Sequence, residues 1–326
     1  MPDFSADILE DLFSTEVLEQ LLRDHTTGRN ILWATYDYES LGEGFRYADE
    51  MRPECITGSH GRVVMPRVLK TKERQTDRSK DMAEVFTPSW VCNAQNNLVD
   101  EAWFGRKDVF NTEQGDNSHH WMPTTGKIQF PQGKTWRDYV RATRMEMTCG
   151  EAPYLVSRYD TTTGEPIPIR ERIGLLDRKL RVVGENTETT GEWLEWAQVA
   201  YKNIYGLEWQ GDSLLLAREA LLMSFVDYYQ EKFGKSPLEK SVKYIAYIVS
   251  WNIWQMDGLK GVVPDSCRNG VKETVQTLFG EEEHTAWCAG CQQNDIRRHN
   301  GKYCLIRDWA NDKKKMRFID LMAHYK

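Results

Sequence analysis

Long apolar runs are missing from this sequence of 326 residues. The longest apolar stretch, at residues 244–249, falls far short of the roughly 18–20 residues that a membrane-spanning helix needs. The first residues, MPDFSADILEDLF, are acidic and lack the basic-then-apolar order of a signal peptide. We therefore expect a cytoplasmic protein that is neither secreted nor embedded in a membrane.

Positive charge is also in short supply. Lys and Arg together number 42 against 49 Asp and Glu, which gives a net charge of −7. Proteins that bind DNA without sequence preference depend on neutralising phosphates with cations. The composition therefore argues against a chain that binds DNA tightly by itself. It permits a DNA enzyme whose positively charged surface is supplied by another chain.

Several common chemical signatures are absent as well. The sequence contains neither GxGxxG nor GxxxxGK[ST], which disfavours sites for NAD, FAD and P-loop nucleotides. Disulfides are also disfavoured, because the seven cysteines are an odd number in a long chain of cytosolic character.

The sequence is nevertheless that of a folded protein. Hydrophobic residues make up 40% and aromatic residues 11%. A chain of this length and composition can bury a full hydrophobic core without disulfides or metal ions to stabilise it. In the second half, strand-like and helical segments alternate: strands at 145–148, 204–208 and 253–256, helices at 192–202, 212–229 and 238–249. This alternation predicts an α/β fold with a parallel sheet, interrupted by a long polar insertion at 151–189.

The predicted strands end on residues that suit a nucleoside. The first strand contains Glu146 and ends at a Cys149-Gly150 turn, Glu208 ends the second, and Asp257 follows the third. Ligands of open α/β sheets bind beyond the carboxyl ends of the strands. Glycine lets the backbone approach a ligand closely, and carboxylates accept hydrogen bonds from ribose hydroxyls or an adenine amine. The pattern predicts a nucleoside-containing cofactor at this edge.

Four segments stand out by their order along the chain. They are residues 81–98 (DMAEVFTPSWVCNAQNNL), 146–155 (EMTCGEAPYL), 204–218 (IYGLEWQGDSLLLAR) and 252–259 (NIWQMDGL). In this order they resemble the cofactor motifs of adenine-N6 DNA methyltransferases of the gamma order. The resemblance implies a Rossmann-like methyltransferase fold that binds S-adenosylmethionine, preceded by an N-terminal helical segment.

The resemblance implies a cofactor role for residues of the first two segments. Thr87 and Pro88 would open a helix beside the methionine end of S-adenosylmethionine, with Thr87 as the N-cap. Glu146, Cys149 and Gly150 would form the loop beneath the cofactor.

It likewise implies roles for residues of the last two segments. Glu208 would hold the ribose hydroxyls, Trp209 would lie beside the adenine, and Asp257 would accept from the adenine amine. One position departs from the family: Ala152 stands where the loop after the first strand has its second glycine.

The catalytic motif of that family is missing. Adenine-N6 methyltransferases carry an Asp/Asn-Pro-Pro-Tyr/Phe tetrad, which holds the amine of an extruded adenine and stacks on its ring. The sequence has no Pro-Pro pair, and Val263-Pro264-Asp265 is no substitute for the tetrad. No catalytic residue is therefore predicted in this chain.

Two interpretations remain open. The chain is either the S-adenosylmethionine-binding subunit of a split adenine-N6 DNA methyltransferase of a restriction-modification system, or a degenerate relative that acts as a binding or scaffold protein. In the first case a second methyltransferase subunit supplies the tetrad, the target-recognition domain and most of the contact with double-stranded DNA. We favour the split enzyme, because the cofactor acids stand at their expected places.

A cluster of cysteines near the end of the chain predicts a metal site. Cys267, Cys288, Cys291 and Cys304 include one Cys-x2-Cys pair with two partners at plausible range. Zinc prefers four such ligands in a closed tetrahedron, so we predict a structural zinc ion that clips a polar insertion. His284 or His299 is an alternative fourth ligand, and free thiols are the competing interpretation.

These predictions divide the chain into three parts. Residues 1–80 form an N-terminal helical and irregular segment, with a helix at 3–22. Residues 81–262 form the S-adenosylmethionine-binding domain, and residues 263–326 the zinc-clipped C-terminal insertion. The basic stretch 70–80 (KTKERQTDRSK) is interpreted as a solvated surface, with phosphate contact as the alternative.

Overall fold

The structure is a computed structural model that describes residues 14–70, 87–115, 118–277, 280–311 and 314–321. The helix expected at 3–22 is therefore described only from residue 14. Apart from Lys70, the basic stretch 70–80 lies outside the described residues, as does the part of segment 81–98 that precedes Thr87.

Helices and short strands alternate along the described chain. The α-helices are α1 (Thr15–Leu22), α2 (Ser89–Phe104), α3 (Trp136–Arg141), α4 (Leu175–Asn186), α5 (Thr190–Lys202), α6 (Gly211–Phe233), α7 (Glu239–Asn252), α8 (Ala289–Gln293) and α9 (Phe318–Leu321). The strands are β1 (Asn111–Glu113), β2 (Trp121–Pro123), β3 (Arg144–Glu146), β4 (Ile204–Glu208), β5 (Ile253–Gln255), β6 (Val271–Thr277), β7 (Gly280–Ala286), β8 (Leu305–Arg307) and β9 (Lys315–Arg317). The fold is mixed α/β with small sheets. Within these residues, every helix is too short or too polar to cross a bilayer.

Three parallel strands lie at the centre of the fold. Their order is β3-β4-β5, with Glu146 opposite Gly206 and Glu208 opposite Gln255. The remaining sheets, β1-β2, β6-β7 and β8-β9, are antiparallel pairs. Because the three central strands run in one direction, their carboxyl ends meet at one edge, which we call the carboxyl edge.

One hydrophobic core joins the N-terminal segment to the sheet and its helices. Leu18 of α1 and Trp33 are fully buried in it, together with Phe225 of α6 and Ile253 of β5. The apolar spacing of Val17, Leu18, Leu21 and Leu22 explains why this helix packs with one face against the core.

The polar insertion expected at 151–189 contains helix α4, which was not predicted from the sequence. Leu176, Leu180 and Val183 are buried on one face of the helix, as helical spacing requires. Arg178 and Lys179 on the same helix are also buried. These charged residues hide the apolar periodicity that would have indicated the helix.

The helix after Thr87-Pro88 is observed, with its start shifted by one residue from the prediction. Pro88 is extended and α2 begins at Ser89. The free N–H of Ser89 donates to Oδ2 of Asp160 at 2.8 Å. A distant carboxylate therefore replaces the expected Thr87 side chain as the cap of this helix.

Helices α2 and α4 meet through a buried ion pair. Nη1 of Arg178 donates to Oδ2 of Asp100 at 2.6 Å, and both side chains are only 1% exposed. Nη2 of Arg178 donates to the side-chain oxygens of Asn93 (2.9 Å) and Asn97 (2.8 Å), and the Tyr139 hydroxyl donates to Asp100 at 2.9 Å. These hydrogen bonds offset the desolvation of the two charges.

We predict that Asp100→Ala lowers the free energy of unfolding by about 3–5 kcal/mol, because it leaves the Arg178 charge buried without its counterion. Arg29→Ala is the control: this side chain is 63% exposed and pairs with Glu50 at 3.4 Å, so its removal should cost about 0.5 kcal/mol or less. Urea denaturation measures both. Equal effects of the two substitutions would contradict the structural role of the buried pair.

Candidate functional site

The loop that follows β3 folds back over β4. The N–H of Cys149 donates to the Leu207 carbonyl at 2.8 Å, and the N–H of Gly150 donates to Oε2 of Glu208 at 2.8 Å. Thr148, Gly150 and Ala152 have φ values of 51°, 52° and 61°. Ala152 therefore adopts the left-handed backbone that glycine favours, at the position where the resembled loop has glycine.

Two glycines shape this loop in different ways. At Gly206 of β4, an added Cβ would lie 3.2 Å from Sγ of Cys149 and 3.2 Å from Cδ1 of Ile253. At Gly150, an added Cβ would meet no atom within 4 Å. The first glycine lets the loop pack on the sheet, and the second leaves open space beside its backbone.

Cys149 lies in this loop with its thiol buried. Burial raises its pKa well above the ordinary value, and the nearby Glu146 and Glu208 carboxyls raise it further. This environment disfavours the thiolate, which is the nucleophilic form of cysteine, and the thiol packs the loop against Gly206.

Glu208 ends β4 with its carboxylate turned toward the β3 loop. Besides the Gly150 N–H, it accepts the N–H of Gln210 on Oε1 at 3.2 Å. Burial raises the pKa of Glu208, while the N–H groups of Gly150, Gln210 and Trp209 lower it. The carboxyl is thus held in place by backbone donors at the carboxyl edge.

Glu146, at the end of β3, has one carboxyl oxygen without a partner. Its Oε2 is buried, and no group in the described chain donates a hydrogen bond to it. Burial raises the pKa of Glu146 well above its usual range, although the N–H groups of Tyr154 and Leu155 lower it. Buried polar atoms are nearly always paired, so this oxygen indicates a place where a ligand could supply a donor.

The Thr87-Pro88 turn lies beside Glu146. Tyr154 forms side-chain hydrogen bonds with Thr87 and Cys92, which is on the first turn of α2. Burial raises the pKa of Cys92 to about 12, with a further contribution from the Glu146 charge. The structure therefore brings the predicted methionine-end residues next to the end of β3.

Asp257 follows β5 and is held in a tight turn. Its Oδ1 accepts the N–H groups of Leu259 (3.0 Å) and Lys260 (3.1 Å), and its Oδ2 pairs with Nζ of Lys260 at 3.0 Å. This hydrogen bond is the main reason that the pKa of Lys260 is raised. The carboxylate is already neutralised by a cation that a ligand amine would have to share or displace.

Trp209 contacts an aromatic group that was not predicted from the sequence. Its indole N–H donates to the Tyr47 hydroxyl at 2.9 Å, and Tyr47 in turn hydrogen-bonds Asp265. Burial, and then this hydrogen bond to Asp265, raises the pKa of Tyr47. The ring of Tyr36 lies 4.7 Å from that of Tyr47. Only the concentration of aromatic residues at 33–47 pointed to this arrangement.

Three cysteines and one histidine form a second site beside the β6-β7 pair of strands. Sγ of Cys267 lies 3.1 Å from Sγ of Cys288 and 3.5 Å from Sγ of Cys291. Nδ1 of His299 lies 3.4–3.6 Å from all three sulfurs. Ligands of a tetrahedral zinc ion, at about 2.0–2.3 Å from the metal, are separated by about 3.5–3.8 Å. This Cys3His cluster could bind a metal such as zinc.

Cys304, predicted as the fourth ligand, is not in the cluster, and His299 takes its place. The Cys304 thiol is buried in a small core with Leu207 and Trp254, where its Sγ donates to the Gln255 carbonyl at 3.4 Å. Spacing along the sequence cannot show this, because Cys304 directly precedes β8 and faces the sheet. The other alternative, His284, lies on the exposed strand β7.

Glycine and backbone donors complete the metal site. A Cβ at Gly290 would lie 2.6 Å from Nδ1 of His299, so only glycine lets the Cys-x2-Cys turn approach the ring. The N–H of Asn300 donates to Sγ of Cys288 at 3.4 Å. Burial raises the pKa of Cys288. Hydrogen bonds from Cys267 and from backbone N–H groups outweigh this effect and lower the pKa to about 6. A thiolate is the form that binds a metal.

The cluster lies at the base of a hairpin and close to the carboxyl edge. Cys267 precedes β6 and Cys288 follows β7, while most described side chains of both strands are exposed. A two-stranded hairpin without a core is marginally stable, so a metal at its base would hold it in place. Lys260 pairs with Asp257, and the charges of Cys267 and Cys291 contribute to the raised pKa of Lys260.

Comparison with known proteins found no matching family, no similar curated protein and no similar solved structure.

We predict that the purified chain binds about one equivalent of zinc and that Cys291→Ala strongly weakens this binding, because it removes one of the four ligands of a closed tetrahedral site. The matched control is Cys304→Ala, which should retain the metal and lose about 1 kcal/mol of stability from its buried site. Metal analysis and thermal unfolding measure the two effects. Loss of zinc from Cys304→Ala would overturn the assignment of ligands.

Proposed function

We propose that the chain is the S-adenosylmethionine-binding subunit of a split adenine-N6 DNA methyltransferase of a restriction-modification system. The observation that carries the proposal is the order β3-β4-β5, in which Glu146, Glu208 and Asp257 come to one edge in chain order. Ligands of open α/β sheets bind beyond the carboxyl ends of the strands, and the three acids lie there in the chain order of the cofactor motifs that the sequence resembles.

The residues at the carboxyl edge fit S-adenosylmethionine. Glu208 offers a carboxylate for the ribose hydroxyls, and Asp257 offers one for the adenine amine. Open space beside Gly150 leaves room for close approach, and the unpartnered Oε2 of Glu146 can accept a donor from the methionine end. When bound, S-adenosylmethionine supplies an electrophilic methyl group for transfer to the N6 atom of adenine.

This chain provides the binding and orientation of the cofactor, and its residues provide no catalysis of their own. A Pro-Pro tetrad is absent from the sequence, and burial keeps the Cys149 thiol protonated. Orientation of the extruded adenine is therefore assigned to the tetrad of a partner subunit. The net charge of −7 agrees with a partner that carries most of the DNA-facing surface.

The open edge of the sheet supports a partner at β3. In the described chain, β3 pairs only with β4, and Met145 and Met147 are 37% and 59% exposed. The other edge strand is closed, since the carbonyls of Ile253 and Gln255 accept from the Arg218 guanidinium and the Cys304 thiol. Exposed strand edges readily pair with another chain.

We further propose that the metal of the Cys3His cluster is a structural zinc ion. The donor set and spacing agree with a closed tetrahedron. Because Lys260 lies between the cluster and Asp257, the zinc ion would also hold the loop that presents Asp257. It would take no part in methyl transfer.

The cofactor site is tested by calorimetry with S-adenosylmethionine on the chain together with its tetrad-bearing partner. Glu208→Gln should weaken binding about 10- to 100-fold, because a charged hydrogen bond contributes about 1.5–3 kcal/mol. Glu281→Gln, an exposed acid on β7, removes the same charge and should leave binding unchanged. Absence of binding by the wild-type complex would favour the degenerate scaffold instead.

The partner surface is tested with Met145→Lys/Met147→Lys, which places charge on the open edge without altering the core. The double variant should lose co-purification with the tetrad-bearing protein encoded beside it, and the adenine methylation that the mixture shows. Met122→Lys changes an equally exposed methionine on β2 and should retain both. Normal assembly of the double variant would contradict docking at β3.

A further inference from the structure

A face at the amino-terminal edge of the central sheet combines cations with aromatic rings. We call it the cationic face; it consists of Lys202, Arg307 and Lys315 with the rings of Tyr244, Tyr247, Trp251 and Trp309. Lys202 ends α5 just before β4 begins. The indole N–H of Trp309 donates at 2.8 Å to Asn252, the residue just before β5. The face therefore lies opposite the carboxyl edge.

Each cation of this face lies over ring surfaces. The guanidinium carbon of Arg307 is 4.9 Å from the ring centre of Trp309 and 5.7 Å from that of Trp251. Nζ of Lys315 lies 5.2 Å from the Trp251 ring, and Nζ of Lys202 lies 5.6 Å from the Trp309 ring. Contacts of this kind hold long side chains in position.

None of these three cations is paired with a carboxylate in the described chain. Neighbouring cations differ in this respect: Lys243 pairs with Glu16 and Glu239, and Arg317 pairs with Asp320. The acid nearest in sequence to Arg307 is also engaged, since Asp308 accepts the N–H groups of Ala310 and Asn311 and the Asn311 side-chain amide.

A histidine packs beside the face. The ring of His25 stacks on Trp251 at 4.0 Å. Burial is the main reason that the pKa of His25 is lowered to about 3, and the charges of Arg218, Arg23, Lys315 and Arg307 lower it further. The positive charge of the face therefore comes from Lys202, Arg307 and Lys315 rather than from His25.

The arrangement suits phosphates better than bases. The aromatic rings are covered by cations, so they offer no free platform on which a base could stack. Arg307 is fixed further by the hydrogen bond between its Nη1 and the Tyr247 hydroxyl, which reduces the entropy lost on binding. Unpaired, positioned cations are the groups that contact the nucleic-acid backbone.

We propose that the cationic face binds the phosphate backbone of duplex nucleic acid without reading its sequence. This contact is separate from the carboxyl edge, so it cannot be the contact to the target adenine. Through this face an acidic chain would contact the phosphate backbone of nucleic acid directly. The contact does not depend on S-adenosylmethionine binding.

Fluorescence anisotropy tests the proposal with the full-length chain, random-sequence DNA and RNA duplexes of about 30 base pairs, and a series of salt concentrations. The variant is Lys202→Gln/Arg307→Met/Lys315→Gln, in which Met keeps apolar contact with the rings. Each phosphate contact contributes about 0.9 to the slope of log K against log salt. The slope should fall by about 2 to 3, and binding at low salt should weaken at least tenfold.

The matched control removes the same charge elsewhere, through the exposed residues Lys107→Gln, Lys127→Gln and Lys235→Gln. It should leave the slope near the wild-type value. Equal loss in both variants, or no binding by the wild-type chain to either duplex, would overturn the proposal. Arg307→Lys checks folding: it keeps the charge and should retain most of the slope. A loss seen with DNA alone or RNA alone assigns the face to that duplex.

Discussion

The hydrogen bond from the Gly150 N–H to Glu208 is the contact on which the carboxyl edge depends. It ties the loop after β3 to the end of β4, and the Cys149 N–H bond to Leu207 continues the same attachment. Gly206 favours this approach, because a Cβ there would lie only 3.2 Å from Sγ of Cys149. The loop is thereby fixed over the sheet with three residues in left-handed backbone, and the acids of three strands share one edge.

The metal cluster and the cationic face extend this arrangement in two directions. Lys260 pairs with Asp257 at 3.0 Å and is close enough to Cys267 and Cys291 for their charges to raise its pKa, so the metal cluster lies near one end of the proposed cofactor site. On the opposite edge, Trp309 is anchored to Asn252 beside β5, and the cations above it face away from the cofactor. A single small sheet thus positions three chemically different surfaces.

The sequence predicts best what depends on local spacing. Strand β4 and the acid that ends it follow from a short apolar run, and the three strands predicted along the chain form one parallel sheet. Helix α4 was missed because Arg178 and Lys179 are buried on it, paired through contacts with distant parts of the chain. His299 replaces Cys304 for a similar reason: a ligand set is decided by which side chains the fold brings together. The Trp209–Tyr47 contact joins residues 162 positions apart, which no local pattern indicates.

Hydrogen exchange would detect binding of S-adenosylmethionine at the carboxyl edge through the backbone N–H groups of the loops there. S-adenosylmethionine added to the complex of the chain with its partner should slow exchange of the backbone N–H groups at 146–155 and 257–261. Exchange in the hairpin formed by β6 and β7 should stay unchanged, because most of its described side chains are exposed and none belongs to the proposed cofactor site. Unchanged exchange in both loops, or protection confined to the hairpin, would contradict a cofactor site at this edge.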